Sequence, residues 1–433
     1  MANFRQLLQL ASLFIGYGLS VFVRKSFTFV LPDVINSTGV ERSQLGLVTS
    51  SQCIAYSVSK FIGGFLADQY RPKLLLQISL IGSALTAFAF TGFNSVWMFS
   101  ILWFLNGLCQ GLSWPACAKI LMAWFPPDNF ATVWSILSTS INVSGSIGPL
   151  FITTIALHYG WRLGMIIPAC SAMLLAAIFI VTLHEDPSKF GLENYLEEHS
   201  GDKNKSLNKK NETNISQVTS VFLDPFLFLL GISYLLLCGI RTCMMDWSHL
   251  YLIQEKQLSP ILGSMVASSM EVGGIVGSIV SGIWSDKAST SPGSVSRVKC
   301  RLNVARNFSF GVTLSLYLFV HHIHYYSNEI FIVLVGFAIG FFVYGPLTIS
   351  GVAALESVPG HMCGAASSVC SAFGNTGGVI AGLPVTYLAS QRGWHQTFVY
   401  INYSSVIALA LLWQLGRMQC QLKQQDNTRD KTS

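Results

Sequence analysis

Apolar stretches long enough to cross a bilayer recur about twelve times along this chain. Roughly 20 such residues span the hydrocarbon core as a helix, and backbone placed there must satisfy its own hydrogen bonds. The first six stretches lie near 8–31, 45–66, 74–93, 96–122, 132–157 and 163–183. The other six lie near 225–253, 259–284, 302–321, 329–353, 362–389 and 395–416. Between the two sets runs a polar segment, 184–224, with Glu193, Glu197, Glu198, Lys203, Lys205, Lys209 and Lys210 among many Asn and Ser. The segment is too polar to bury and reads as a flexible linker. The pattern predicts an all-α membrane protein of twelve transmembrane helices in two pseudo-symmetric six-helix bundles, 1–183 and 225–433, joined by 184–224.

Charge is scarce enough to support this reading. Only 11% of the 433 residues are charged, against about 25% in soluble domains. The net charge of +6 belongs to loops and tail, where it sets topology. Arg71, Lys73, Lys287, Arg297, Lys299, Arg301, Arg306, Arg417, Lys423, Arg429 and Lys431 fall on one side, and only Arg42, Arg162, Lys256 and Arg392 on the other. The positive-inside rule then puts both termini and the linker in the cytosol. No basic cluster interleaved with aromatics points to nucleic acid. The first span follows a single early charge, Arg5, without a small-residue cleavage site, and reads as a retained helix.

Ten cysteines are scattered without a CxxC pair, so neither a metal site nor a disulfide framework is expected. No Walker loop or G-x-S-x-G elbow appears, and His321, His322 and His324 have no carboxylates at ligand spacing. Enzymatic chemistry, a cofactor and ATP drive are not expected.

Two internal correspondences link the halves. Gly64–Arg71 (GFLADQYR) closes the second span and Gly282–Lys287 (GIWSDK) closes the eighth, with Asp286 falling 218 residues after Asp68. Arg241 in the seventh span falls 217 residues after Arg24 in the first. Paired repeats with a site near the midplane mark secondary transporters. Asp68 and Asp286 read either as gating residues that latch the halves or as plain loop aspartates.

Arg24 and Lys25 sit side by side inside an apolar helix, at about 2.5 to 3.5 kcal/mol each on insertion scales. An intramembrane cation is by default functional; the alternative is snorkelling from a helix end. Pseudo-symmetry would set Arg241 opposite Arg24, and two guanidinium forks suit a small dianion such as a phosphate ester. Asp246 or Glu271 is the rival partner in a structural salt bridge. Lys60 adds positive charge and shares a helical face with Tyr56, as Tyr17 does with Arg24. Either tyrosine serves as a hydroxyl donor or as packing. Asn106, Gln110 and Trp114, four apart beside Pro115, form a face for a sugar or for a neighbouring helix, and Asn375 in the eleventh span has the same ambiguity.

The blocks VRKSFTFVLP (23–32), AYSVSKFIGGFLAD (55–68), FLNGLCQGLSWPACAK (104–119), RTCMMDWS (241–248) and EVGGIVGS (271–278) resemble the organophosphate:phosphate antiporters of the major facilitator superfamily. The resemblance runs over nearly the whole chain except linker and tail. Segments Ile101–Gly107 and Leu252–Lys256 are most similar to the animal endoplasmic-reticulum branch that carries glucose 6-phosphate. It implies the major facilitator fold and exchange of a sugar phosphate for inorganic phosphate by alternating access. Phosphate would be gripped by Arg24 and Arg241, with Lys25 and Lys60 adding potential and Tyr17, Tyr56 and Trp114 nearby. It also implies residence in the reticulum membrane and coupling to a luminal glucose-6-phosphatase. Two departures stand out. Ile141 replaces a histidine found in bacterial members, and Ser367 replaces one found in the animal branch. A different phosphate ester or anion, or a receptor that binds sugar phosphate without moving it, are the rival functions. Asn36-Ser37-Thr38 is a glycosylation acceptor in the first extracytosolic loop.

Overall fold

The computed structural model describes residues 4–195, 224–290, 297–358 and 363–429, and among them there is helix but no strand. Five helices and a helix pair make the first half: α1 (Phe4–Thr38), α2 (Arg42–Gln69), α3 (Pro72–Thr91), α4 (Val96–Gly111) with α5 (Ser113–Trp124), α6 (Pro127–Tyr159) and α7 (Trp161–Thr182). The second half holds α8 (Pro225–Gln254), α9 (Pro260–Thr290), α10 (Arg297–His321), α11 (Glu329–Glu356), α12 (Cys363–Ile380) and α13 (Leu383–Arg429).

Among the described residues, nine stretches are long and apolar enough to cross a membrane. Three differences separate this from twelve. α2 carries a run of Ser, Thr and Gln with Lys60, and α10 carries Arg301, Asn303, Arg306 and Asn307, so both are long but too polar. The last two expected spans run together as one stretch, Val369–Gln419. Gly393 nonetheless breaks α13 with φ 79° and ψ 162°, a conformation that costs glycine little. The expected stretch 362–389 is itself divided where α12 ends at Ile380 and α13 starts at Leu383. Pro115 lies just past a similar break, between α4 and α5 at Leu112.

The chain divides into two compact units, Met1–Lys209 with Gly382–Tyr387, and Lys210–Ala381 with Leu388–Ser433. Leu13, Val23, Leu76, Leu80, Ile120, Trp124, Leu137 and Phe179 centre the core of the first. Leu230, Leu237, Leu302, Phe308, Val369 and Leu412 centre that of the second.

Glycines let two helix pairs approach to backbone contact. A Cβ at Gly107 of α4 would lie 2.5 Å from the Gln52 carbonyl of α2, and one at Gly111 would lie 2.6 Å from the Lys60 nitrogen. The same device joins α9 to α11, where Gly273 faces the Phe337 carbonyl and Gly340 the Met270 carbonyl. Close approach of this kind holds helices together where lipid offers no hydrophobic drive.

The linker begins later than its composition suggested. The Trp124 indole donates to the His184 carbonyl at 2.8 Å, the His184 amide donates to the Gln9 side chain at 3.0 Å, and the Tyr195 amide donates to the Ala123 carbonyl at 3.1 Å. Pro187–Phe190 form a 3₁₀ turn capped by Asp186, and Phe190 and Leu192 rest on the first core. Two apolar anchors in a polar run are enough to dock these twelve residues. The rest of the expected linker, 196–223, lies outside the described residues.

Candidate functional site

Each unit carries a guanidinium over a tyrosine ring. In the first, α1 brings Arg24, and α2, held to α4 at Gly107 and Gly111, turns Tyr56 and Lys60 toward it. The Arg24 guanidinium carbon lies 5.1 Å from the centroid of the Tyr56 ring, and Lys60 Nζ lies 5.9 Å from it. The Tyr17 and Tyr56 hydroxyls are 3.5 Å apart. The Tyr17 ring packs at 4.8 Å on Trp114, which meets Trp134 at 4.6 Å. Five of the residues singled out from sequence (Tyr17, Arg24, Tyr56, Lys60 and Trp114) are thus brought together, and Trp134 joins them. Among the described residues, no carboxylate stands within ion-pair distance of Arg24 or Lys60. Two cations facing a π cloud and no counter-ion are poised for an anion.

In the second unit, the Arg241 guanidinium carbon lies 4.6 Å from the centroid of Tyr344, on α11. The Tyr344 hydroxyl donates to Glu271 on α9 at 2.7 Å, and Glu271 is only 3% exposed. The rival salt bridge takes an indirect form here: among the described residues Arg241 and Glu271 are linked through Tyr344, not as a direct pair. Arg241 Nε is buried without a hydrogen-bond partner, and an unmet buried donor of that kind costs about 1–3 kcal/mol unless something accepts from it.

Tyr344 escaped the reading of the sequence, although the repeat contains the signal. Applying the 218-residue offset to Tyr56 lands on Gly274 of α9. A Cβ at Gly274 would sit 2.6 Å from the Tyr344 ring. One half supplies the ring from its second helix. The other deletes the side chain there and fills the space with a tyrosine from its fourth helix.

Several expected site residues lie elsewhere. Asn106 and Gln110 are buried and face α3. Asn106 Nδ2 donates to the Ser83 carbonyl at 3.2 Å and to Thr86 Oγ1 at 2.9 Å, and Gln110 Nε2 donates to Asn106 Oδ1 at 2.9 Å. Their amides are spent on a helix contact, so the sugar-binding assignment gives way to the packing one. Lys25 is half-buried beside Arg24. Asn375 is exposed on α12, which meets α8 through Gly374 and Gly377 and stays outside the Arg241–Tyr344–Glu271 group. Ile141 packs against the first core; the side chain of Ser367 lies outside the described residues.

Of the two gating candidates, Asp68 falls in the last turn of α2, its side chain outside the described residues. Asp286 pairs inside its own unit. Arg301 of α10 donates to Asp286 at 2.9 Å, to Ser285 at 2.8 Å, and in a fork to both oxygens of Glu356 on α11 at 2.6 and 2.7 Å. This ties the ends of α9, α10 and α11 together, and the bidentate Glu356 arm is the stronger.

A family model described as Major Facilitator Superfamily matches residues 13–350. The chain is 32% identical to a probable hexose phosphate transport protein of Chlamydia trachomatis, over 92% of this chain and 88% of that protein. It is 30% identical to the membrane sensor protein UhpC of Escherichia coli K12, over 93% and 90%. It is 27% identical to the hexose-6-phosphate:phosphate antiporter of Escherichia coli K12, over 92% and 88%. With long apolar helices and a family match over most of its length, this chain is a multi-pass membrane protein of a transporter fold, not an enzyme, and it belongs to the major facilitator superfamily.

Proposed function

We propose that this protein is a secondary antiporter that exchanges a hexose phosphate, glucose 6-phosphate above all, for inorganic phosphate. The observation that carries the reading is that the first helix of each half holds an arginine over a tyrosine ring, with the buried Nε of Arg241 unpaired. An arginine keeps its charge when desolvated and presents two donors to a phosphate, while a neutral sugar would leave the charge uncompensated. Arg24 and Arg241 act on the phosphate and Lys60 adds positive potential. Tyr17, Tyr56 and Trp114 give apolar faces and hydroxyls on which a sugar ring can rest. Similarity to a hexose-6-phosphate:phosphate antiporter favours exchange. Residence in the reticulum, cytosolic termini and coupling to a luminal phosphatase rest on the resemblance and charge bias set out above.

A second reading is favoured by the 30% identity to a membrane sensor protein: a receptor that binds sugar phosphate without moving it. One experiment separates the two. Labelled glucose 6-phosphate is offered to proteoliposomes with and without trapped phosphate, for wild type and Arg24→Ala. Uptake that requires trapped phosphate and disappears in the variant is the expected result. Uptake indifferent to trapped phosphate sinks exchange, and binding without uptake selects the receptor.

A further inference from the structure

In the second unit, α10 and α13 enclose a groove of about 430 Å³ that the transport reading does not use. Phe310 of α10 and Val406 and Leu409 of α13 form its apolar wall, and Phe310 is 61% and Val406 46% exposed. One turn along, Arg306 and Asn307 line the same groove, opposite Trp413. Arg417 closes this end, its guanidinium carbon 3.5 Å from the centroid of the Trp413 ring.

Such a wall is ordinary on a membrane protein, but the cations are not. The nearest polar contact of Arg306 is Asn307 Oδ1 at 3.5 Å, too long to compensate a guanidinium. Among the described residues, no carboxylate stands within ion-pair distance of Arg306 or Arg417. The contrast with Arg301, less than two turns away on the same helix and held by two carboxylates, shows that the helix neutralises a cation where structure requires it. An unpaired arginine beside an apolar groove, with a second stacked on Trp413, complements a molecule with an anionic head and a hydrocarbon body. Basic pockets between transmembrane helices recognise anionic lipid headgroups in this way.

We propose that the groove between α10 and α13 is a binding site for an anionic phospholipid. The net negative headgroup lies on Arg306 and Arg417 with Asn307 as a further donor, and one acyl chain lies along Phe310, Val406 and Leu409. The site is independent of the substrate carried.

The full-length protein, purified and stripped of lipid, is offered equal amounts of phosphatidylserine and phosphatidylcholine, and bound lipid is read by native mass spectrometry. The wild type should retain phosphatidylserine with a preference of about fivefold for each arginine engaged. Arg306→Gln/Arg417→Gln should bring the ratio near one. Arg306→Lys/Arg417→Lys should keep most of the preference, which guards against a misfolded double variant. Equal retention of the two lipids by the wild type would mean that the groove does not distinguish an anionic headgroup from a zwitterionic one and would overturn the proposal. A preference that survives neutralisation of both arginines, or a lipid-free dimer in which a second copy covers the groove, would overturn it as well.

Discussion

Gly274 is the residue on which the second cluster turns. Its missing side chain gives Tyr344 the space to lie under Arg241, and even one methyl would intrude at 2.6 Å. Overpacking of this sort typically costs about 1–3 kcal/mol, and Tyr344 relieves it by moving off the guanidinium. Gly274→Ala should therefore weaken sugar-phosphate binding about tenfold with the fold retained. Equilibrium binding and a melting curve check this, and unchanged affinity would remove Tyr344 from the site. Arg24 offers the complementary case. It was legible from sequence because a charge inside an apolar run is expensive and has few structural excuses. Tyr344 was not legible, because an aromatic in a span is unremarkable until the ring is seen to fill a vacancy 70 residues upstream.

At the scale of helices, the same spacing rule gave one success and one reversal. Tyr56 and Lys60, four apart on α2, do share a face, and Arg24 of α1 lies over the same Tyr56 ring. Of Asn106, Gln110 and Trp114, also four apart, the two amides bond to each other and Asn106 to α3, whereas Trp114, past the turn at Leu112, packs on Tyr17 and Trp134. Asn106→Ala should destabilise the protein by about 1–3 kcal/mol, since Gln110 loses its acceptor in a buried contact. Substrate affinity should be unchanged, and a large rise in KM at wild-type stability would return Asn106 to the site. The docked strap 184–195 makes a pH prediction. Partial burial, reinforced by Lys73, Lys189 and Arg5, pushes the His184 imidazole below its ordinary value. The undocked strap therefore binds the proton more readily, and docking is favoured above about pH 6.5 and lost as pH falls below it. Protection against hydrogen exchange in 184–195, taken relative to the intrinsic rate at each pH, should fall between about pH 7 and 5.5 in the wild type and respond far less in His184→Asn. An equal loss of protection in both would acquit the histidine.

For the whole molecule, the two-unit plan was written in the sequence at two positions, Arg24/Arg241 and Asp68/Asp286. What the repeat did not disclose was how each copy had been modified. The described helices leave 196–223 between two cores built from separate sets of residues. Two fragments, 1–205 and 206–433, should therefore insert when co-expressed and restore phosphate-dependent uptake at a reduced rate. Fragments that both insert but give no uptake would show that the covalent join is required. The polar character of α2 and α10 belongs to this scale as well. A hydropathy window passes over them, yet α2 carries Tyr56 and Lys60 and α10 carries Arg301 and Arg306.

Tyr56 and Tyr344 differ in one more respect. Tyr56 rides on α2, whose described interior has no proline, whereas Tyr344 lies two residues before Pro346 within α11. Proline removes a rung from the helical ladder and makes that point compliant. One guanidinium therefore lies over a ring on an uninterrupted helix and the other over a ring beside a missing rung. A load placed on Arg241 therefore falls next to the most compliant point of the helix that carries Tyr344.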